Sequence, residues 1–122
     1  MITFKHNREQ GILEVKYSGQ INMEELINYG DQIFENKSLP RRLKILTDVS
    51  DGYYNINPSE FPELKEKLEI HLSVYEHIKA AFVHSKPRET AYALIISEEN
   101  SIPNYERRVF STMSAARRGL ME

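Results

Sequence analysis

Cysteine is absent from the 122-residue chain, which removes disulfides, thiolate metal ligands and a cysteine nucleophile together. A reducing cytoplasm is the natural setting for such a sequence, and a cytoplasmic location is expected. Glycine is scarce, with 5 in the chain and no two placed to build a phosphate-cradling loop. No apolar run approaches the roughly 20 residues of a membrane span, and MITFKHNREQ has no apolar signal core. An excess of positive charge is also missing. The formal net charge is −2, so no global basic field draws nucleic acid or an anionic membrane. Repeats and low-complexity segments do not occur, and residues 1–122 read as a single domain.

What is present is patterning. ITFKH and GILEVKYSG alternate apolar and polar residues around a turn at Gly11, as an antiparallel hairpin does. Asn22 stands three residues before Glu25, the spacing of a capping box. Met23, Leu26, Ile27, Gly30, Ile33 and Phe34 then follow at helical spacing. RLKILTDV predicts a strand ending near Asp48. Phe61, Leu64, Leu68, Leu72 and Tyr75 mark a second helix, regular only after Pro62 because proline is tolerated in the first turn alone. IKAAFVH is apolar at almost every position, the signature of a strand covered on both faces. Ser85 and Pro87 open a third helix carrying Ala91, Leu94 and Ile95. YERRVF is a last strand, and Ser111 or Thr112 caps a final helix through Met113, Ala116 and Leu120. The order β-β-α-β-α-β-α-β-α predicts an α/β fold with a mixed five-stranded sheet.

That order, with three stretches, resembles the STAS/SEC14-like family, whose SpoIIAA-like members include bacterial anti-sigma-factor antagonists. KILTDVS is similar to the family's third strand, IKAAFVHSKP to its buried fourth strand and helix opening, and YERRVFSTMSAARRGL to its closing strand and helix. The resemblance implies a regulatory module whose loop after the third strand carries a phosphorylated serine beside an aspartate. The corresponding stretch here, Ile56-Asn57-Pro58-Ser59, has no Asp-Ser pair and leaves Ser59 as the phosphorylation candidate. Many relatives have an aromatic where this chain has Gly119, which implies looser packing of the last helix.

The stretch LTDVSDGYYNINPSEF holds the main candidate site. Strand tips of open α/β sheets tend to gather ligands. Asp48, Ser50, Tyr53, Tyr54, Asn57 and Ser59, with His84 at the end of the next buried strand, are therefore the candidate binding residues. The same residues also make a plain connection: Asp51-Gly52 as a turn, Asn57 or Ser59 as a helix cap, and the tyrosines as cover for the sheet edge.

Other chemistry is thin. His6, His71, His77 and His84 show no metal-ligand spacing, so no metal and no cofactor are expected. No serine elbow is present, which argues against an enzyme. Arg107 and Arg108 are neighbours on a strand and point to opposite faces. Without interleaved aromatics the arginine pairs do not suggest nucleic acid. The expected function is a non-catalytic regulatory or adaptor module that recognises a protein or small ligand at the C-terminal edge of the sheet. The alternative is a carrier of a small apolar, lipid-like molecule in a pocket between helices and sheet. Ile70 and Val74 lie off the core stripe of the second helix and would serve a homodimer or a pocket wall.

Overall fold

Gly11 sits at φ 69°, a left-handed conformation that glycine adopts without steric cost, and it closes the hairpin between β1 (Ile2–Asn7) and β2 (Ile12–Ile21). The structure is a computed structural model and describes residues 1–84, 86 and 102–122. The helix predicted from Ser85 and Pro87 through Ile95 lies outside the described residues. Helix α1 (Met23–Glu35) follows β2, and Asn22 caps it by accepting a 2.9 Å hydrogen bond from the Glu25 amide. Next come β3 (Arg42–Tyr54), a 3₁₀ turn (Pro58–Glu60) and α2 (Phe61–Leu72). Asn57 begins that turn: its side chain accepts from the Ser59 amide at 3.0 Å, and Glu60 reaches back to the Asn57 amide at 3.0 Å. Strands β4 (His77–Val83) and β5 (Tyr105–Phe110) and helix α3 (Met113–Met121) complete the described chain. Of the two cap candidates for α3, Thr112 takes the role, accepting from the Ala115 amide at 3.1 Å.

The strands lie in the order β1-β2-β3-β4-β5, antiparallel at β1–β2 and parallel at the other three pairs. A sheet laid down in sequence order with right-handed crossovers sends successive connecting helices to one face. Helices α1 and α2 accordingly share a face over Leu13, Val15, Ile45, Ile78 and Ala80. Helix α3 covers the other face through Ala116 and Leu120 against Ile12, Leu46, Ala81 and Val83. The apolar run of β4 is thus buried from both sides, as its composition predicts.

Two departures from the sequence reading matter. Strand β3 does not end at Asp48 but continues to Tyr54. Lys16 pairs with Asp48 while Ser18 pairs with Asp51, so Val49 and Ser50 together oppose Tyr17. This bulge adds one residue and reverses the alternation. Before it Leu43, Ile45, Thr47 and Val49 are buried; after it Gly52 and Tyr54 are. Nor is the last helix loosely packed at Gly119. A Cβ there would stand 2.5 Å from Cζ of Phe110, so the missing side chain lets the Phe110 ring press directly on the α3 backbone.

A candidate small-molecule cavity between the helix pair and the sheet

Because α1 and α2 sit side by side on one face, the space beneath them is walled by both helices and by four strands. A cavity of about 70 Å³ remains there. Tyr17 comes from β2, Tyr29 and Gly30 from α1, Thr47 and Tyr54 from β3, Leu64, Leu68 and His71 from α2, Phe82 from β4, and Tyr105 and Arg107 from β5. The aromatic walls meet edge to face: Tyr17 lies 6.2 Å from Tyr54 at 90° and 6.5 Å from Tyr29 at 82°. Such pairs are favoured by the ring quadrupoles. Deeper in the same layer, the Tyr75 hydroxyl donates to the Ile33 carbonyl at 2.6 Å and ties α1 to the end of α2.

Gly30 sets how closely the helices approach. A Cβ at that position would fall 2.3 Å from Nδ1 of His71, so the imidazole occupies the space a side chain would fill. Across this gap His71 Nε2 lies 2.7 Å from Asp31 Oδ1. That contact orients the ring with one nitrogen on the carboxylate and one edge on the helix backbone.

The cavity's electrostatics are one-sided. Burial pushes the Tyr17 and Tyr29 hydroxyls well above the usual tyrosine range, so both stay protonated. The Tyr105 hydroxyl is raised by burial too, against the charge and hydrogen bond of Arg107. The Arg107 guanidinium carbon stacks 3.8 Å from the Phe82 ring centroid, a cation–π arrangement, and its Nε is buried without a hydrogen-bond partner among the described residues. Protonated hydroxyls and a guanidinium are donors and poor nucleophiles. The arrangement suits holding a molecule rather than cleaving one. No cluster of three or more His, Cys, Asp or Glu that would hold a metal occurs among the described residues, and no helix among them is long and apolar enough to cross a membrane.

The residues singled out from sequence fall into three separate places. Asp48 and Ser50 pair with each other: Asp48 Oδ1 accepts from the Ser50 amide at 3.0 Å and its hydroxyl at 2.6 Å. Asp48 borders a shallow, open depression with Lys16, Glu14 and Met113, away from the cavity. Tyr53 is 43% exposed, and Asn57 and Ser59 are exposed in the turn before α2. Tyr54 and His84 do come together, with ring centroids 5.8 Å apart. Tyr54 is a cavity wall and a core residue rather than loop cover. His84 is only 2% exposed, and both ring nitrogens lack hydrogen-bond partners among the described residues. Burial first, and Arg107 second, pull its pKa down to about 4. Sequence reasoning missed Tyr17, Tyr29, Tyr105 and the inward role of Arg107. The only advance signal was the alternation of YERRVF, which places Tyr105 and Arg107 on one face.

A crystal structure of an uncharacterized protein from the DUF3478 family, from Shewanella loihica PV-4, superposes on this chain with a TM-score of 0.63 at 14% sequence identity, covering 98% of this chain and 92% of that one. Its fold is SpoIIAA-like. This chain shares that fold. No protein-family model and no curated protein matches the sequence. The five-stranded mixed sheet read from the sequence is the frame of that fold. Ile70, off the core stripe of α2, and Val74, which falls past the end of that helix rather than on it, are 54% and 38% exposed.

Proposed function

We propose that this protein is a non-catalytic cytoplasmic module that binds a small molecule in the cavity between α1, α2 and the sheet. The observation supporting this is the cavity's lining: an apolar enclosure into which four tyrosines and one arginine bring polar groups. Binding sites are built in this way, with mostly apolar walls and a few convergent polar groups that fix orientation. Volume narrows the occupant. Pockets for drug-sized ligands run to about 300–1,000 Å³, and an apolar cavity of about 150 Å³ accepts benzene. At about 70 Å³ the space takes a few non-hydrogen atoms and no lipid chain.

Protein purified without denaturation and analysed by native mass spectrometry is expected to carry, or to take up from a fragment mixture, one small molecule per chain. Ala80→Val, which adds bulk to a β4 residue of the lining, is expected to abolish uptake while keeping the circular dichroism spectrum. Equal uptake by this variant would remove the cavity from consideration.

A second reading, recognition of a protein at the C-terminal edge of the sheet, is supported by the exposure of Tyr53 beside Asn57 and Ser59. Exposed tyrosines are common anchors at protein interfaces. In that reading a phosphate on Ser59 would stand at the entry to α2 and alter the surface charge the partner meets. Affinity capture with wild-type protein, but not with Tyr53→Ala, is its expected result. Capture unchanged by Tyr53→Ala would end it.

A further inference from the structure

Resting on the cavity reading above, we propose that the ligand is a short-chain monocarboxylate, its carboxylate held by Arg107 and the neighbouring tyrosine hydroxyls and its alkyl end against the leucines of α2. Among the described residues, the lining contains one full-time cation and no aspartate or glutamate. Among the described residues, Arg107 takes part in no ion pair, whereas Arg41, Arg42, Arg108 and Arg117 all have carbonyl or carboxylate oxygens as partners. Its Nε is buried and has no hydrogen-bond partner among the described residues, and a buried donor without an acceptor is costly to leave so. The Tyr17 ring lies 6.2 Å from that of Tyr54 and 6.5 Å from that of Tyr29, and Arg107 hydrogen-bonds to Tyr105, so these polar side chains share one wall of the cavity.

Donors gathered around a cation, with no acceptor charge among the described residues of the lining, select an anion. Besides Thr47, His71 and Phe82, the rest of the described lining is mostly aliphatic, with Leu64, Leu68, Ile33, Ile45 and Ala80 among it. An inorganic anion would leave that half unfilled, and a neutral apolar molecule would leave the guanidinium with Tyr105 and Phe82 but no anionic partner. A carboxylate on a short alkyl chain answers both halves. The volume, roughly half that of a cavity which takes benzene, sets the length at about two to four carbons.

The test is an NMR titration of ¹⁵N-labelled full-length protein with propionate, propionamide, propylamine, benzoate and phosphate, in wild type, Arg107→Met and Arg107→Lys. Propionate is expected to shift the Tyr17, Thr47 and Phe82 amides saturably. The amide, the amine, benzoate and phosphate should each bind at least about tenfold more weakly, the loss that goes with a charge-assisted hydrogen bond or a misfit. Arg107→Met should lose propionate binding by a similar factor and Arg107→Lys should keep most of it. If Arg107→Met fails to fold, the carboxylate-to-amide ratio in wild type decides between the two outcomes by itself. Equal binding of propionamide and propionate, or of propionate by wild type and Arg107→Met, overturns the anion assignment and leaves the cavity reading intact. Phosphate binding as well as propionate overturns the alkyl half. If no probe of any kind shifts cavity residues, and native mass spectrometry finds no bound molecule, both fall.

Discussion

Replacing Gly30 with alanine tests how the helix pair is spaced. On helix preference alone the change should help, because alanine is favoured over glycine in a helix interior by about 1 kcal/mol. The structure predicts the opposite sign. The new Cβ would lie 2.3 Å from Nδ1, 2.7 Å from Cε1 and 3.1 Å from Cγ of His71, and an ordinary contact begins at 3.4 Å. The ring must therefore retreat by about 1 Å (3.4 − 2.3). His71 has little room to do so, being 5% exposed and fixed to Asp31 at 2.7 Å. Overpacking of this kind costs about 1–3 kcal/mol. Loss of the hydrogen bond adds about 1 kcal/mol, at the low end because the Asp31 carboxylate is half-exposed to water. Against the helix gain, a net destabilisation of about 2 kcal/mol is expected, a fall in Tm of roughly 6–10 °C. Urea unfolding of Gly30→Ala, His71→Ala and the double variant completes a cycle. With the imidazole gone, Gly30→Ala should become neutral or stabilising by up to about 1 kcal/mol. An unchanged cost in both backgrounds, or a higher urea midpoint for the single Gly30→Ala variant, would refute this account of the helix spacing.

Two further predictions concern the tyrosine pair and His84. Tyr54→Ala empties a core position and should cost about 3–5 kcal/mol, whereas Tyr53→Ala, at the exposed neighbour, should stay within about 0.5 kcal/mol by chemical denaturation. For His84, the folded-state pKa of about 4 lies below the ordinary histidine value of 6.5, so the unfolded chain binds more protons between these values and stability rises with pH. The contribution is fully present above about pH 6.5 and is lost as pH falls through about 4, a change on the order of 3 kcal/mol. In His84→Phe the urea midpoint should depend less on pH across this window, and an identical pH profile would show that His84 does not titrate as stated.

Much of the frame was legible because it depends on local rules. The Asn22 cap, the hairpin at Gly11, the α2 stripe and the doubly covered β4 run each follow from spacing within about a dozen residues. The course of β3 beyond Asp48 was not legible. On the face beneath α1 and α2, its buried positions change from odd to even numbers at the bulge, and SDGYYN reads as a turn when that switch is unknown. The candidate site was less legible still. Its walls come from Tyr17 to Arg107, and only the sheet order brings those residues together. Pairs such as Gly30 with His71, or Gly119 with Phe110, are matches of absence with bulk that no periodicity reveals. Read from sequence, Tyr54 belongs to the loop past Asp48 and His84 to a strand tip; the two rings do meet, but in the interior.

The strictly sequential strand order has a consequence for synthesis. Synthesis delivers the amino-terminal part of the chain first, and here each parallel strand joins a neighbour that has already been made. No strand has to wedge itself between two others. The aliphatic and tyrosine walls from β2 to β4 can therefore assemble before β5 is made, and the guanidinium of Arg107 is the last major piece to arrive. A nascent chain stalled before Tyr105 would lack both the tyrosine hydroxyl and the positive charge that the closing strand brings to this hollow.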